Sequence, residues 1–301
     1  MPDPLDDSRT LSSARSSTRG RWLLVAAAVL WSTTSLFVKS KAMGDIEGPT
    51  LACLRALFAA LCLAPFLRRS AIRWRLGLVP MATAFAAMNV LFLTAMTLTT
   101  AAAAVFLQYT ATPWVFLLGL VVLGESWRRG NVVAVGLAVV GITVIVASDA
   151  GTQSSLGNLL AIASGLTFAI VIISLRYLRD ESPVFLVLVN QAASCLVLLP
   201  WLAWHPPSLS LGQWVLLAAF GIVQMSIPYL MFARGVKSVA AQEAALIVLL
   251  EPVLTPVWVA VLGWEVAPIA TWLGGGLIVG GLLLRYTVWS RPDEPPDAPE
   301  V

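Results

Sequence analysis

Arg55 and Glu251 are the two charged side chains that stand deep inside apolar runs, in GPTLACLRALFAALCL and EAALIVLLEPVLTPVWVAVLG. Neither guanidinium nor carboxylate can be left bare in hydrocarbon without a cost of at least a few kcal/mol, so each should face a cavity or a partner. A buried guanidinium could hold a substrate carboxylate or headgroup, or gate a path by separating from Glu251. The other readings are a permanent buried ion pair, or for Arg55 a snorkel to the headgroups. A carboxylate that alternates between an apolar setting and an Arg partner could also take up and release a proton. Glu243, a few residues into its run, reads as an interfacial acid.

Uncharged polar and aromatic residues surround these two in the middle of other runs. They include Trp31, Thr34, Asn89, Gln108, Tyr109, Trp114, Gln224 and Tyr229, which with Arg55 and Glu251 form the candidate substrate-binding or gating set. Amides and rings suit a small amphipathic ligand with an apolar body; the alternative is hydrogen bonding between helices. Nothing points to catalysis, a metal or a cofactor. His205 is the one histidine, and Cys53, Cys62 and Cys195 lack metal-ligand spacing.

These residues are carried by a chain of 301 residues that is 58% hydrophobic and only 12% charged, with mean hydropathy +0.85. A soluble chain averages roughly 25% charged, so the composition is that of an integral membrane protein. Net charge +3 and a pI near 9.0 do not imply nucleic acid as a partner, because the basic residues sit in short clusters between apolar runs. Lipid and a small-molecule substrate are the expected partners, and both halves of the chain are present in a monomer. No cleavable signal peptide is evident.

Ten spans are expected, at about 22–40, 49–67, 77–97, 101–123, 131–148, 156–176, 183–203, 212–233, 240–262 and 268–288. The fold class is therefore all-α. Polar tails at 1–20 and 289–301 read as disordered and cytoplasmic. Spans three and four are separated only by MTLTTA, yet one helix through both would be about 70 Å long, so a turn must fall near Thr97–Thr100. Pro113 and Pro252 with Pro256 should kink spans four and nine, and Pro228 span eight.

Charge sets orientation. With both termini cytoplasmic, sixteen of the 19 basic residues fall inside, and only Lys39 and Lys41 outside. Lys39 should then snorkel to water. Arg55 would lie about 9 Å and Glu251 about 17 Å from the outer ends of their spans, so a shared polar cavity is geometrically possible.

The two halves echo each other. TAAAAVFLQYTATPWVFLLGLVVLGE ends at Glu125, and EAALIVLLEPVLTPVWVAVLGWE ends at Glu265. The same spacing separates Asn89 from Tyr229, Gly136 from Gly276, and Gly141 from Gly281. Repeats of five spans at 21–148 and 149–288 would be inverted, because five is odd. Inverted repeats let one central site face either side of a membrane in turn, the architecture of a secondary transporter. A membrane enzyme would need clustered His, Asp or Ser at an interface. A channel would need polar residues spaced along one span, and a sensor or structural protein needs no such repeat. No phosphate-binding loop accompanies the spans.

On these residues the chain resembles the drug/metabolite transporter superfamily, and within it the EamA-domain family, whose members carry two copies of a five-helix unit. The resemblance covers about 22–288. It rests on LWSTTSLFVK, AMTLTTAAAAVFLQYTATPWVFLLGLVVLGE, VGLAVVGI, ARGVKSVAAQEAALIVLLEPVLTPVWVAVLGWE and GGGLIVGG. The first copy departs from the Glu-Pro pattern, with Thr112-Pro113, and Trp264 stands where the family commonly has Gly. The resemblance implies a non-enzymatic exporter, facilitator or exchanger of amino acids and other small metabolites. It is expected in a bacterial cytoplasmic membrane and open to proton coupling.

Overall fold

A computed structural model describes residues 4–122, 129–148, 154–178, 180–236, 238–239 and 241–288. Tail residues 1–3 and 289–301, Glu125 and Arg128 lie outside the described residues. Fourteen α-helices follow in order: α1 (Pro4–Ser32), α2 (Thr34–Val38), α3 (Gly48–Leu63), α4 (Leu78–Leu98), α5 (Ala101–Gln108), α6 (Ala111–Val122), α7 (Arg129–Ser148), α8 (Ser154–Tyr177), α9 (Pro183–Trp204), α10 (Leu211–Ala219), α11 (Ile227–Gly235), α12 (Ala241–Val248), α13 (Leu250–Val261) and α14 (Ile269–Thr287). A π-helical stretch, Phe220–Ser226, joins α10 to α11. No strand occurs among the described residues.

Seven stretches are long and apolar enough to cross a membrane: Thr18–Val38, Gly48–Phe66, Leu78–Leu98, Ala101–Leu118, Ser154–Leu175, Pro183–Trp204 and Leu211–Gly235. Three shorter apolar helices, Val132–Ser148, Leu246–Val261 and Ile269–Arg285, fill the fifth, ninth and tenth places. The ten expected spans are therefore all present as helix, and the protein is a multi-pass integral membrane protein. The turn between spans three and four falls where the length limit put it: α4 ends at Leu98, and Thr100 caps α5 by accepting from the Ala103 N–H at 3.1 Å.

Two expectations change at the first span. Helix α1 runs back to Pro4, through residues read from the sequence as an unstructured tail. Pro4 suits the first helical turn. Lys39 does not snorkel freely to water. Its Nζ lies 2.9 Å from Glu265 Oε1 and donates to Thr99 O at 2.7 Å, because the links between spans three and four and between nine and ten converge there.

Inversion shows in the packing. Helix α4 lies on α8 as α11 lies on α1, and α4 on α9 as the π stretch lies on α3; α5 and α6 meet α8 as α12 and α13 meet α1. Each of these pairs maps onto its counterpart when the repeats are exchanged. Spans five and ten pack on each other in antiparallel fashion. A Cβ on Gly141 would run into Gly274 O, and at the matching crossing a Cβ on Gly281 would lie 3.3 Å from Ala134 Cα. Two five-helix repeats of opposite orientation thus form one bundle. Gly141, Gly274, Gly275 and Gly281 are at close contacts, while Gly136, Gly276 and Gly280 face open space.

Candidate functional site

Proline chemistry sets the breaks that surround the centre. A proline has no N–H for the carbonyl four residues earlier, so the helix loosens one turn upstream. Upstream of Pro113 the fourth span breaks at Tyr109–Thr110, between α5 and α6; upstream of Pro252 the ninth breaks at Leu249, between α12 and α13. Tyr109 and Leu249 are separated by the repeat offset, the spacing from Glu125 to Glu265. Pro256 is accommodated inside α13 without a further break. In span eight the response to Pro228 is the π stretch rather than a simple kink. Ser226 Oγ donates to Gly221 O and to Ala59 O, both at 3.2 Å, fixing the widened turn on α3. Gly221 permits that approach, since a Cβ there would come within 2.8 Å of Phe58 Cβ.

A polar chain crosses the bundle through this stretch. Arg55 on α3 is 3% exposed. Its Nη1 donates to Gln224 Oε1 at 3.0 Å, and its Nη2 to Asn89 Oδ1 in a short contact. Asn89 Nδ2 donates to Ser194 Oγ at 2.7 Å and to Ala52 O at 3.1 Å. Gln224 Nε2 donates to Thr34 Oγ1 at 2.6 Å and to Trp31 O at 3.4 Å. The Phe220 ring covers the guanidinium at 4.9 Å and stacks on Phe37 at 4.7 Å. Spans one, two, three, seven and eight are joined by this chain, and Arg55 Nε has no hydrogen-bond partner among the described residues.

Glu251 forms a second cluster. Tyr109 Oη donates to Glu251 Oε2 at 3.0 Å and lies 3.4 Å from Val248 O, the carbonyl that Pro252 leaves without its helical donor. Glu251 is partly exposed, as are Tyr109, Trp31, Tyr229, Phe232, Trp258 and Trp114. Trp31 meets the Tyr229 ring edge-on at 5.1 Å and Phe232 at 5.3 Å. Trp258 Nε1 donates to Ser32 Oγ at 2.8 Å, and Ser35 Oγ to Thr255 O at 2.9 Å, tying span one to span nine.

The two charges are neighbours that interact through space. Among the described residues no ion pair joins them within 4.0 Å. The arrangement is thus a sealed cation held by neutral amides near a partly exposed acid that accepts from Tyr109. Of the expected set, Thr34, Arg55, Asn89 and Gln224 form the first cluster and Tyr109 and Glu251 the second, with Trp31 and Tyr229 between them. Gln108 is buried where Gly165 of α8 packs on the break in span four, and neither it nor Trp114 is hydrogen-bonded to either cluster among the described residues. Sequence reasoning missed Ser194, Phe220, Phe232 and Trp258. A signal existed for Ser194, since the repeat offset from Arg55 lands on its neighbour Cys195.

The profile of the EamA-like transporter family matches this chain twice, over residues 18–147 and 155–287. An uncharacterized transporter of Archaeoglobus fulgidus is 27% identical over 270 residues, 89% of this chain and 96% of that protein. A crystal structure 20% identical shares the fold, with TM-score 0.66 over 91% of this chain and 99% of the other. With matches over both halves, transport rather than catalysis is the family's business, and the chain belongs to the EamA-like transporter family.

Proposed function

We propose that the protein is an alternating-access secondary transporter, an exporter or exchanger of amino-acid-like or other small amphipathic metabolites. The observation that carries this reading is the pair of opposite charges at mid-bundle, close but not ion-paired, inside an inverted repeat. A structural ion pair would gain most by closing; two charges held apart leave room for a ligand or a proton to alter their balance. The breaks at Tyr109–Thr110 and Leu249 sit beside this centre, where half-helices can tilt as gates while the paired spans five and ten hold the frame. Glu251 is the group that would carry a coupled proton. The distribution of Lys and Arg supports cytoplasmic termini, and the family resemblance a bacterial cytoplasmic membrane.

The test is transport in proteoliposomes. Arg55→Ala and Glu251→Gln should each abolish flux while the purified proteins remain folded and membrane-inserted. An imposed pH gradient should drive uphill flux in the wild type and not in Glu251→Gln. Wild-type rates from both variants would remove the polar centre from the mechanism.

A further inference from the structure

The link between spans two and three, residues 67–77, is pinned at two points and presents what lies between them. Leu67 packs against the cluster of Leu78, Leu178 and Phe185. Arg75 holds Glu181, whose carboxylate is buried. A single 3-10 turn, Arg69–Ala71, folds the chain between these anchors. Arg68, Arg69 and Arg73 are exposed and form no ion pair among the described residues, although Asp180 stands exposed beside Glu181 on the facing link. The same stretch exposes Trp74 (78%) and Leu76 (92%), with Phe66 and Ile72 also exposed. The Trp74 ring is steadied edge-on against Phe185 at 6.0 Å.

Phe66 closes the second span and Leu78 opens the third, so the link lies where hydrocarbon gives way to headgroups. Guanidinium forks match the oxygens of a phosphate, and an indole ring sits well at that boundary. The fold itself does not need this charge. The link at the equivalent place in the second repeat, 205–210, reads HPPSLS and has no Lys or Arg; it is closed instead by Ser210 and Gln213 capping each other. Arginines that serve neither packing nor internal pairing are left for a partner of opposite charge.

We propose that Arg68, Arg69 and Arg73 form a site for the phosphate of an anionic phospholipid, with Trp74 and Leu76 set among its glycerol and upper acyl carbons. The class is phosphodiester headgroups that keep a net negative charge. A zwitterionic headgroup carries its own cation and binds more weakly. Arg75 stays with Glu181, so an occupied site steadies the link that ties spans two and three to spans six and seven. The site lies apart from the transport centre and stands whether or not the transporter reading does.

Hydrogen exchange of the full chain tests this in nanodiscs of phosphatidylcholine, alone or mixed with phosphatidylglycerol. Amides of residues 68–77 should exchange severalfold more slowly in the mixture, and those of 205–211 should not change. The second stretch is the control, because an anionic surface lowers the local pH at both faces alike. High salt should remove the slowing. Each arginine near an anionic surface contributes about fivefold to binding, so dioctanoyl-phosphatidylglycerol should bind the detergent-purified chain about tenfold or more tighter than dioctanoyl-phosphatidylcholine. The triple variant Arg68→Gln, Arg69→Gln, Arg73→Gln should lose both effects. The wild-type comparison stands without it if the variant fails to insert. Equal slowing at both links, no slowing at either, or equal affinity for the two lipids would overturn the proposal and leave the arginines as orientation signals only. Slowing by inorganic phosphate to the same extent would overturn the assignment to a lipid.

Discussion

A guanidinium buried without a carboxylate in contact must spread its charge over dipoles. Arg55 does so over two amide oxygens and an aromatic face, and the amides in turn are anchored by Ser194, Ala52 and Thr34. Removing one amide should cost more than one hydrogen bond. Asn89→Leu leaves Nη2 without its acceptor and Ser194 Oγ without its donor, a loss of about 3 kcal/mol or more. Thermal unfolding in detergent should show a lower midpoint than wild type, and an unchanged midpoint would mean the charge is held some other way. Arg55 and Glu251 were legible as special because a charge inside an apolar run is rare. Their partners were not legible. An arginine side chain is long enough to reach several neighbouring helices, and which one it meets depends on how α3 is rotated and how deep it sits. The same length let Lys39 turn inward to Glu265 instead of outward to water.

At the scale of the element, the prolines announced where the hydrogen-bond ladder fails but not what replaces it. Pro113 and Pro252 give matched breaks because the missing N–H frees the carbonyl one turn upstream, a rule readable from sequence. Pro228 gives a π stretch because Ser226 and Gly221 happen to fit α3, which no one-dimensional pattern encodes. The break at Thr33, between α1 and α2, carries no proline at all. Glycines divide in the same way. Gly165 lies against the loosened turn of span four, where a Cβ would meet Thr110 Oγ1 and come within 2.9 Å of Gln108 O. Gly276 faces open space. Gly165→Val should therefore force the Tyr109–Thr110 break away from α8, at a cost of about 1–3 kcal/mol and with transport impaired. Gly276→Val should leave both stability and flux near wild type. Equal behaviour of the two variants, read by thermal midpoint and proteoliposome flux, would show that the break is not supported by that contact.

Across the whole molecule, the repeat was legible from a nearly constant offset, since glycines and terminal acids recur at the spacing that separates Glu125 from Glu265 and the break-making prolines, Pro113 and Pro252, at one residue less. What the offset could not give is which contacts are made at both ends of the bundle at once. Arg75 pairs with Glu181 at 2.6 Å, tying the link between spans two and three to that between six and seven. At the opposite end Gln213 Nε2 donates to Ala42 O at 3.0 Å, tying the repeat-equivalent links. Contacts present at both ends belong to the frame. The Lys39–Glu265 contact is of another kind, because Glu265 Oε2 also accepts from the Ala101 N–H at 2.6 Å and so sits on the first turn of α5. One carboxylate there joins the ends of spans one, four and nine, and any opening at that end must break it. A partly exposed pair contributes about 0–1 kcal/mol and a carboxylate on a helix N-terminus about 0.3–1 kcal/mol, so the clasp is weak enough to open during turnover. Glu265→Gln should speed hydrogen exchange of the Ala101–Ala104 amides severalfold, and Lys39→Gln should do so less, since the carboxylate keeps its hold on the helix. The exchanged pair, Lys39→Glu with Glu265→Lys, restores the attraction but puts a cation on the helix N-terminus, so protection should recover only in part. Full recovery would mean that the charge pair alone closes this end and the helix terminus adds nothing.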